Sequence, residues 1–427
     1  MRVLVISSTP WDVSNSFGNT FSNLFDGMDD VEIYNICCRN GENNNTVVKE
    51  AIQATDKSLL KSIYKFGYDP FWKMEVSSHN AENQHLSETA MKKRKPIYFF
   101  IRDMIWKMGK CKKSKVLNDF LKEVNPDIVY LPIYAQHYMC DVQKIIIDKL
   151  NVPVVGHISD DVYGMKPNMK GFEKSRWKKL QKKVATLIKK CAYLEVFAEN
   201  MAKEYSEKFG VTCHLIGKGV KTQDIPEIVT FDKKDKLKMV YTGVLSQYRF
   251  DTLMNLGKSL KKSCTNDEIT LDVYSQTILT EEMKDALDEC PNVNFKGRID
   301  RETVDTVQSE ADMLLHIEGF NDEAIHASKM SFSTKIIDYM LKGKTIFAIG
   351  SQEINSIMVL DSKNLGVVAK SVDEIDVKIK QLINGEIDIN QILQNVDGYL
   401  RTDRNIDLIR QGIKTRMEKL INERICK

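Results

Sequence analysis

No two of the nine cysteines stand as a C-x-x-C pair, and none lies at metal-ligand spacing from the seven histidines. A disulfide framework and a zinc module are both excluded on that ground, so the thiols, the adjacent Cys37 and Cys38 included, read as reduced core residues. No apolar run approaches the roughly 20 residues of a membrane-spanning helix, and the run at 3–6 is too short for a signal-peptide core. A cytoplasmic chain is expected. No G-x-G-x-x-G follows the apolar runs at 3–6 or 239–241, which argues against a dinucleotide cofactor. No D-x-D closes a strand, and Asp160 and Asp161, being adjacent, make a poor chelating pair; no metal is expected. A net charge of only +3 leaves no footprint for nucleic acid.

What is present is an ordinary globular composition, 42% hydrophobic and 28% charged. A length of 427 residues exceeds what one core usually serves, so two domains with a cleft between them are expected. Residues 1–8 form a β-branched apolar run followed by a loop rich in Ser, Asn and Gly, and short apolar runs recur at 128–131, 152–156 and 194–197. Amphipathic stretches of helical length separate them, which predicts a parallel α/β sheet. Residues 39–45 read as a polar turn and 77–95 as loop and insertion. After a charged, Pro-containing linker at 221–236, a second series of strands is predicted at 239–241, 269–274, 293–295, 313–317, 345–349 and 366–368. The expected division is 1–225, 226–403, and a last helical segment at 404–427 that packs back on the first domain. In two such doubly wound domains, ligands sit at the carboxyl ends of the strands.

The most informative stretch is 331–340, Ser-Phe-Ser-Thr-Lys-Ile-Ile-Asp-Tyr-Met. Ser333 or Thr334 is a good N-cap, Ile336, Ile337 and Met340 give an apolar face, and Gly343 suits a C-cap. A helix start offers free amides to a diphosphate, Lys335 adds a full charge, and Asp338 one turn on suits the ribose hydroxyls. An ordinary capped helix with an exposed Lys and Asp is the competing reading.

This segment resembles the donor-binding helix of retaining GT-B glycosyltransferases of family four, bacterial polysaccharide and capsule enzymes above all. The resemblance places Asp338 where those enzymes carry the second glutamate of an E-x7-E motif, while Met330 stands in place of the first. Residues 240–245 with Arg249 resemble the family's G-R-L-x-x-x-K element: Gly243 is kept, Val244 replaces the first basic residue, and Arg249 takes the place of the second as a phosphate contact. Residues 294–298 and 311–316 resemble its F-x-G element and A-D-x-x-L strand, and Glu318 just beyond is a candidate contact to base, ribose or donor sugar, or else an exposed loop acid. In the first half, Gly18 in the loop after the first strand stands where such enzymes let backbone approach the donor phosphate, although a lone glycine there is commonly just a turn. His157, at the end of a predicted strand, resembles the family's histidine near the acceptor, with Asp160 or Asp161 as acceptor-hydroxyl ligands; a satisfied core histidine is the rival reading. Lys218 replaces the usual Asn of an N-G-V segment before the linker.

The resemblance implies a GT-B fold of two Rossmann-like domains and transfer of a sugar, with retention, from a UDP- or GDP-sugar to a glycan or polyprenyl-linked acceptor. Lys335, Arg249 and helix amides would stabilise the leaving diphosphate without a metal. A nucleotide-sugar epimerase or hydrolase and a catalytically silent sugar-nucleotide-binding scaffold are the alternatives. Basic residues concentrate at 92–95, 107–115 and 174–190; in the last segment Trp177, Leu180, Val184, Leu187, Ile188 and Cys191 make one stripe and lysines the rest. The stripe reads as core and the lysines as a surface drawn to anionic membrane, peripheral on its inner face.

Overall fold

The structure is a computed structural model that describes residues 1–77, 96–166, 168–232, 234–264 and 268–425. The basic cluster at 92–95 and most of the predicted 77–95 insertion lie outside the described residues. The chain divides into two compact units: 1–197, 201–219 and 406–427 in the first, and 198–200 and 220–405 in the second.

The first unit is built on an eight-stranded sheet ordered Cys213–Leu215, Tyr193–Val196, Val154–Ile158, Ile128–Pro132, Arg2–Ser7, Glu32–Cys37, Val48–Gln53, Trp72–Met74. All neighbours are parallel except the last pair. Two strands on one side of this sheet were hidden in the sequence by polar residues. Glu32–Cys37 carries Asn35, fully buried and bonded through Nδ2 to Val5 O at 3.1 Å, and Val48–Gln53 carries Lys49 and Glu50 in an ion-pairing position beside Glu32 and Lys73. The segment read as a polar turn contributes Asn43–Asn44, which pairs with Val76–Ser77 as a separate small sheet. The C-terminal helix Ile406–Ile425 belongs to this unit, where Ile413 and Met417 join Val3, Phe21, Leu24 and Tyr130 in one core.

The second unit holds a six-stranded, wholly parallel sheet ordered Val293–Gly297, Ile269–Tyr274, Leu237–Thr242, Met313–Ile317, Thr345–Ile349, Val367–Ala369. By order of appearance this is 3-2-1-4-5-6, so the winding reverses between Leu237–Thr242 and Met313–Ile317. Its inner strands Met313–Ile317 and Thr345–Ile349 are buried throughout while the edge strand Val293–Gly297 is partly exposed, and the core of the unit runs from Val220 to Leu400. Among the described residues no helix is long and apolar enough to cross a membrane.

Candidate functional site

The switch point of the second sheet collects the charged residues picked out in the sequence. Leu237–Thr242 ends in Gly243, with φ of +153°, where a Cβ would stand 2.4 Å from Lys335 Nζ. Glycine is what lets that amine close on the strand end. Lys335 is an exposed residue as a whole, yet its Nζ is drawn inward to donate to Thr242 O at 3.0 Å. Thr242 is fixed in turn by Gln308 Nε2 at 2.7 Å and Tyr339 Oη at 3.2 Å from its hydroxyl.

From the neighbouring strand, Glu318 follows Met313–Ile317 and is buried, which corrects the exposed-loop reading. Its Oε1 accepts from Arg249 at 2.9 Å and its Oε2 from Ser328 at 3.2 Å. Arg249 lies in the first turn of the helix Gln247–Ser263, joined to the first strand by four residues, 243–246. That helix has no side-chain cap, and Ser246 Oγ and Arg249 Nε are both buried with no hydrogen-bond partner. Uncapped amides, an idle hydroxyl and two cations against one buried carboxylate make a site for an anion. Burial and the facing Arg249 hold the Lys335 amine below its ordinary value, only partly offset by Glu318 and Asp338.

Sequence reasoning missed His316, buried on the same strand with Nε2 3.9 Å from Glu318 Oε1 and lacking a hydrogen-bond partner. Burial pushes it down to about 4. Its place in an apolar strand, Met-Leu-Leu-His-Ile, was the available signal. The expected cap of the helix Thr334–Met340 is also revised. Ser333 occupies the N-cap position without bonding through its side chain, Thr334 is exposed, and Ser333 N donates to Ser356 Oγ at 3.0 Å. Both this helix and Gln247–Ser263 therefore begin without a side-chain cap. Met330, which replaces the first glutamate of the motif, is buried, and Val244 is exposed.

The first-unit residues fall differently. Gly18 is not in a loop but in the first turn of the helix Ser16–Phe25, its amide held by Asn15 Oδ1 at 2.9 Å. A Cβ there would lie 2.1 Å from Asp12 O, so the close approach it permits is to its own preceding loop. His157 stands inside Val154–Ile158 rather than beyond its end. It is buried among Phe21, Tyr130 and Phe197, its Nδ1 3.1 Å from Tyr130 Oη, and burial depresses it to about 3. Tyr130 Oη donates to Glu195 at 2.6 Å, and Arg416 closes the chain from the C-terminal helix at 2.7 Å. Asp161 staples its own turn, accepting from Tyr163 N, Gly164 N and Tyr205 Oη, whereas Asp160 is an exposed residue whose carboxyl is raised by partial burial. Leu180, Val184, Leu187 and Ile188 of Gly171–Ile188 are core, but Lys183 and Arg176 are paired with Asp141 and Asp103.

Comparison with solved structures settles the architecture. One similar structure, Anabaena Alr3699/HepE in complex with UDP-glucose, is 12% identical over 98% of this chain and 100% of that one, with a TM-score of 0.56. The lipopolysaccharide outer core galactosyltransferase WaaB aligns at 14% identity and TM-score 0.59 over 98% and 99% of the two chains. A Burkholderia xenovorans trehalose-phosphate synthase aligns at 8% and 0.55, over 98% and 100%. The chain has the GT-B fold. At these identities the likeness is one of fold. The sequence matches no family model and no curated protein sequence. Among the described residues no group of three or more His, Cys, Asp or Glu is placed to hold a metal ion.

Proposed function

We propose that this GT-B protein is a glycosyltransferase that binds a nucleotide-diphosphate sugar in its second unit. The observation that carries the reading is the juxtaposition of Lys335, Arg249 and the uncapped Gln247–Ser263 helix at the strand switch point. Lys335 and Arg249 neutralise the diphosphate, Glu318 holds Arg249 in place, and Gly243 keeps the strand end open to the amine. Asp338 faces the ribose. Charge developing on the leaving diphosphate is stabilised by donors already in position, so little reorganisation accompanies transfer. Retention of anomeric configuration, use in surface polysaccharide synthesis, and a glycan or polyprenyl-linked acceptor at the cytoplasmic membrane face complete the reading. Asp160 is the acceptor-side candidate, Asp161 and Gly18 being engaged locally, and His157 can contribute only if its Nε2 is uncovered.

UDP-glucose, the ligand of the HepE structure, is the first donor to assay. Purified protein should release UDP from one of a panel of UDP- and GDP-sugars, faster with membrane lipid extract present. Tight nucleotide binding with no release from any donor, with or without extract, would leave the silent sugar-nucleotide binder, a reading favoured by the apolar Met330 and Val244 where the resembled enzymes carry charge.

A further inference from the structure

The helix Pro96–Met108 is amphipathic the wrong way round for a soluble surface. Apart from Lys107 at its end, its charged groups face the protein: Arg102 lies over the Tyr138 ring at 4.3 Å and Asp103 pairs with Arg176, while Trp106, itself buried, donates to Asp56 at 2.7 Å. Its apolar groups face out. Ile97, Phe100, Ile101, Met104 and Met108 recur at helical spacing, and Ile97 and Met108 are each 59% exposed. Phe66, fully exposed, follows the adjoining helix Asp56–Tyr64. Water gains nothing from such a stripe, and soluble surfaces seldom keep one without a partner.

The flanking charge says what covers it. Lys107, Lys110, Lys112 and Lys113 close the helix and its following turn, and among the described residues none of the four is in an ion pair. Beneath the helix a cavity of about 500 Å³ is lined by the cations Arg39, Lys57 and Arg102 and by one acid, Asp56, whose carboxylate accepts from Tyr98 and Trp106, and Arg102 Nε is buried without a hydrogen-bond partner. An apolar stripe bordered by unpaired cations, with cationic groups recessed at its edge, matches an anionic bilayer: acyl chains against the stripe and lipid phosphates at the lysines and the cavity.

We propose that Pro96–Met108 is an interfacial helix that seats the first unit on an anionic lipid surface, the Arg39–Lys57–Arg102 cavity receiving a lipid phosphate. This relocates the membrane contact from the basic face of Gly171–Ile188, of which Arg176 and Lys183 are paired within the protein. It rests on the lipid-side part of the proposed function and not on donor chemistry. The full chain, without nucleotide, should sediment with vesicles of phosphatidylglycerol and phosphatidylcholine and about tenfold less with phosphatidylcholine alone, the difference shrinking as salt rises. Phe100→Ser with Met104→Gln, both exposed, should lower anionic-vesicle binding about tenfold while thermal unfolding and UDP binding stay as in the parent. Lys178→Gln with Lys182→Gln should change it less than twofold. The proposal fails if the parent ignores anionic vesicles, if the apolar pair binds them like the parent, or if that pair only converts a dimer to a monomer. UDP binding, read on the same samples, tests the donor site separately.

Discussion

Lys335 opens the helix Thr334–Met340 and Lys342 lies just past its end, so the two lysines share composition and neighbourhood but not environment. Lys335 reaches the strand end, while Lys342 pairs with the exposed Asp305. Lys335→Ala should weaken UDP binding by about 1.5–3 kcal/mol, or roughly 10- to 150-fold, the range for hydrogen bonds to charged groups. Lys342→Ala should leave it nearly unchanged; calorimetric titration of both variants decides the point, and equal losses would remove Lys335 from the site. Because its amine is held below the ordinary lysine value, UDP affinity should also begin to fall at a lower alkaline pH than an unperturbed lysine would give.

His316 and His157 carry a prediction of their own. Both are depressed by burial, to about 4 and about 3, from an ordinary 6.5. Each is therefore neutral in the folded chain at a pH where the unfolded chain binds a proton. Their contribution is fully present above about pH 6.5 and is lost as pH falls toward the depressed values, at up to about 1.4 kcal/mol per pH unit for each histidine. Arg249 and Lys335 face His316 and oppose its charging; Glu318 favours it. Denaturant midpoints at pH 7, 6 and 5 should decline, and His316→Asn should flatten the slope of the second unit's transition. An unchanged slope would mean that His316 charges without cost in the fold.

At the scale of elements, the C-terminal helix Ile406–Ile425 is pinned to the first unit by a buried charge. Arg416 meets Glu195, which is wholly inaccessible, and Glu195 also receives the Tyr130 hydroxyl that touches His157. Removing one member leaves the other buried and uncompensated. Arg416→Met should destabilise the first unit by about 2–4 kcal/mol in chemical denaturation, reduced from the fully buried case because the guanidinium is partly exposed. Lys414→Ala, which breaks only the exposed pairs with Asp30 and Glu418, should leave that transition in place.

The same network shows what the sequence could and could not convey. Thr345–Ile349 was legible as an apolar run and Met313–Ile317 as one broken only by His316, while Ile269–Tyr274 and Val293–Gly297 alternate apolar with polar residues; Gly243 and Glu318 stood out as candidates because each directly follows a strand. Glu32–Cys37 and Val48–Gln53 were not, because Asn35, Lys49 and Glu50 break the period while their hydrogen bonds and ion pairs form only across the sheet. His157 and Asp161 misled for a related reason. A polar residue near a strand end looks the same in sequence whether it faces a ligand or is consumed by a partner such as Tyr130 or Tyr205, far away in the chain.

At the scale of the whole molecule, each unit has its own sheet and core, and the chain crosses between them at 197/198, 200/201, 219/220 and 405/406. Two units with separate cores unfold in separate steps unless their interface is large and hydrophobic, so nucleotide acts as a label for the unit that binds it. UDP at about one hundred times its dissociation constant should stabilise the second unit by about 2.7 kcal/mol and leave the first unit's transition where it was. The Arg416→Met variant supplies the control, because it should shift the other transition alone. Excess chelator should leave the UDP effect intact, because Lys335 and Arg249 already provide the positive charge that a divalent ion would otherwise supply to the diphosphate. Stabilisation that appears only with added magnesium or manganese would overturn the cation-and-amide account of the site. Stabilisation of the first unit instead would move the donor site away from the second sheet's switch point altogether.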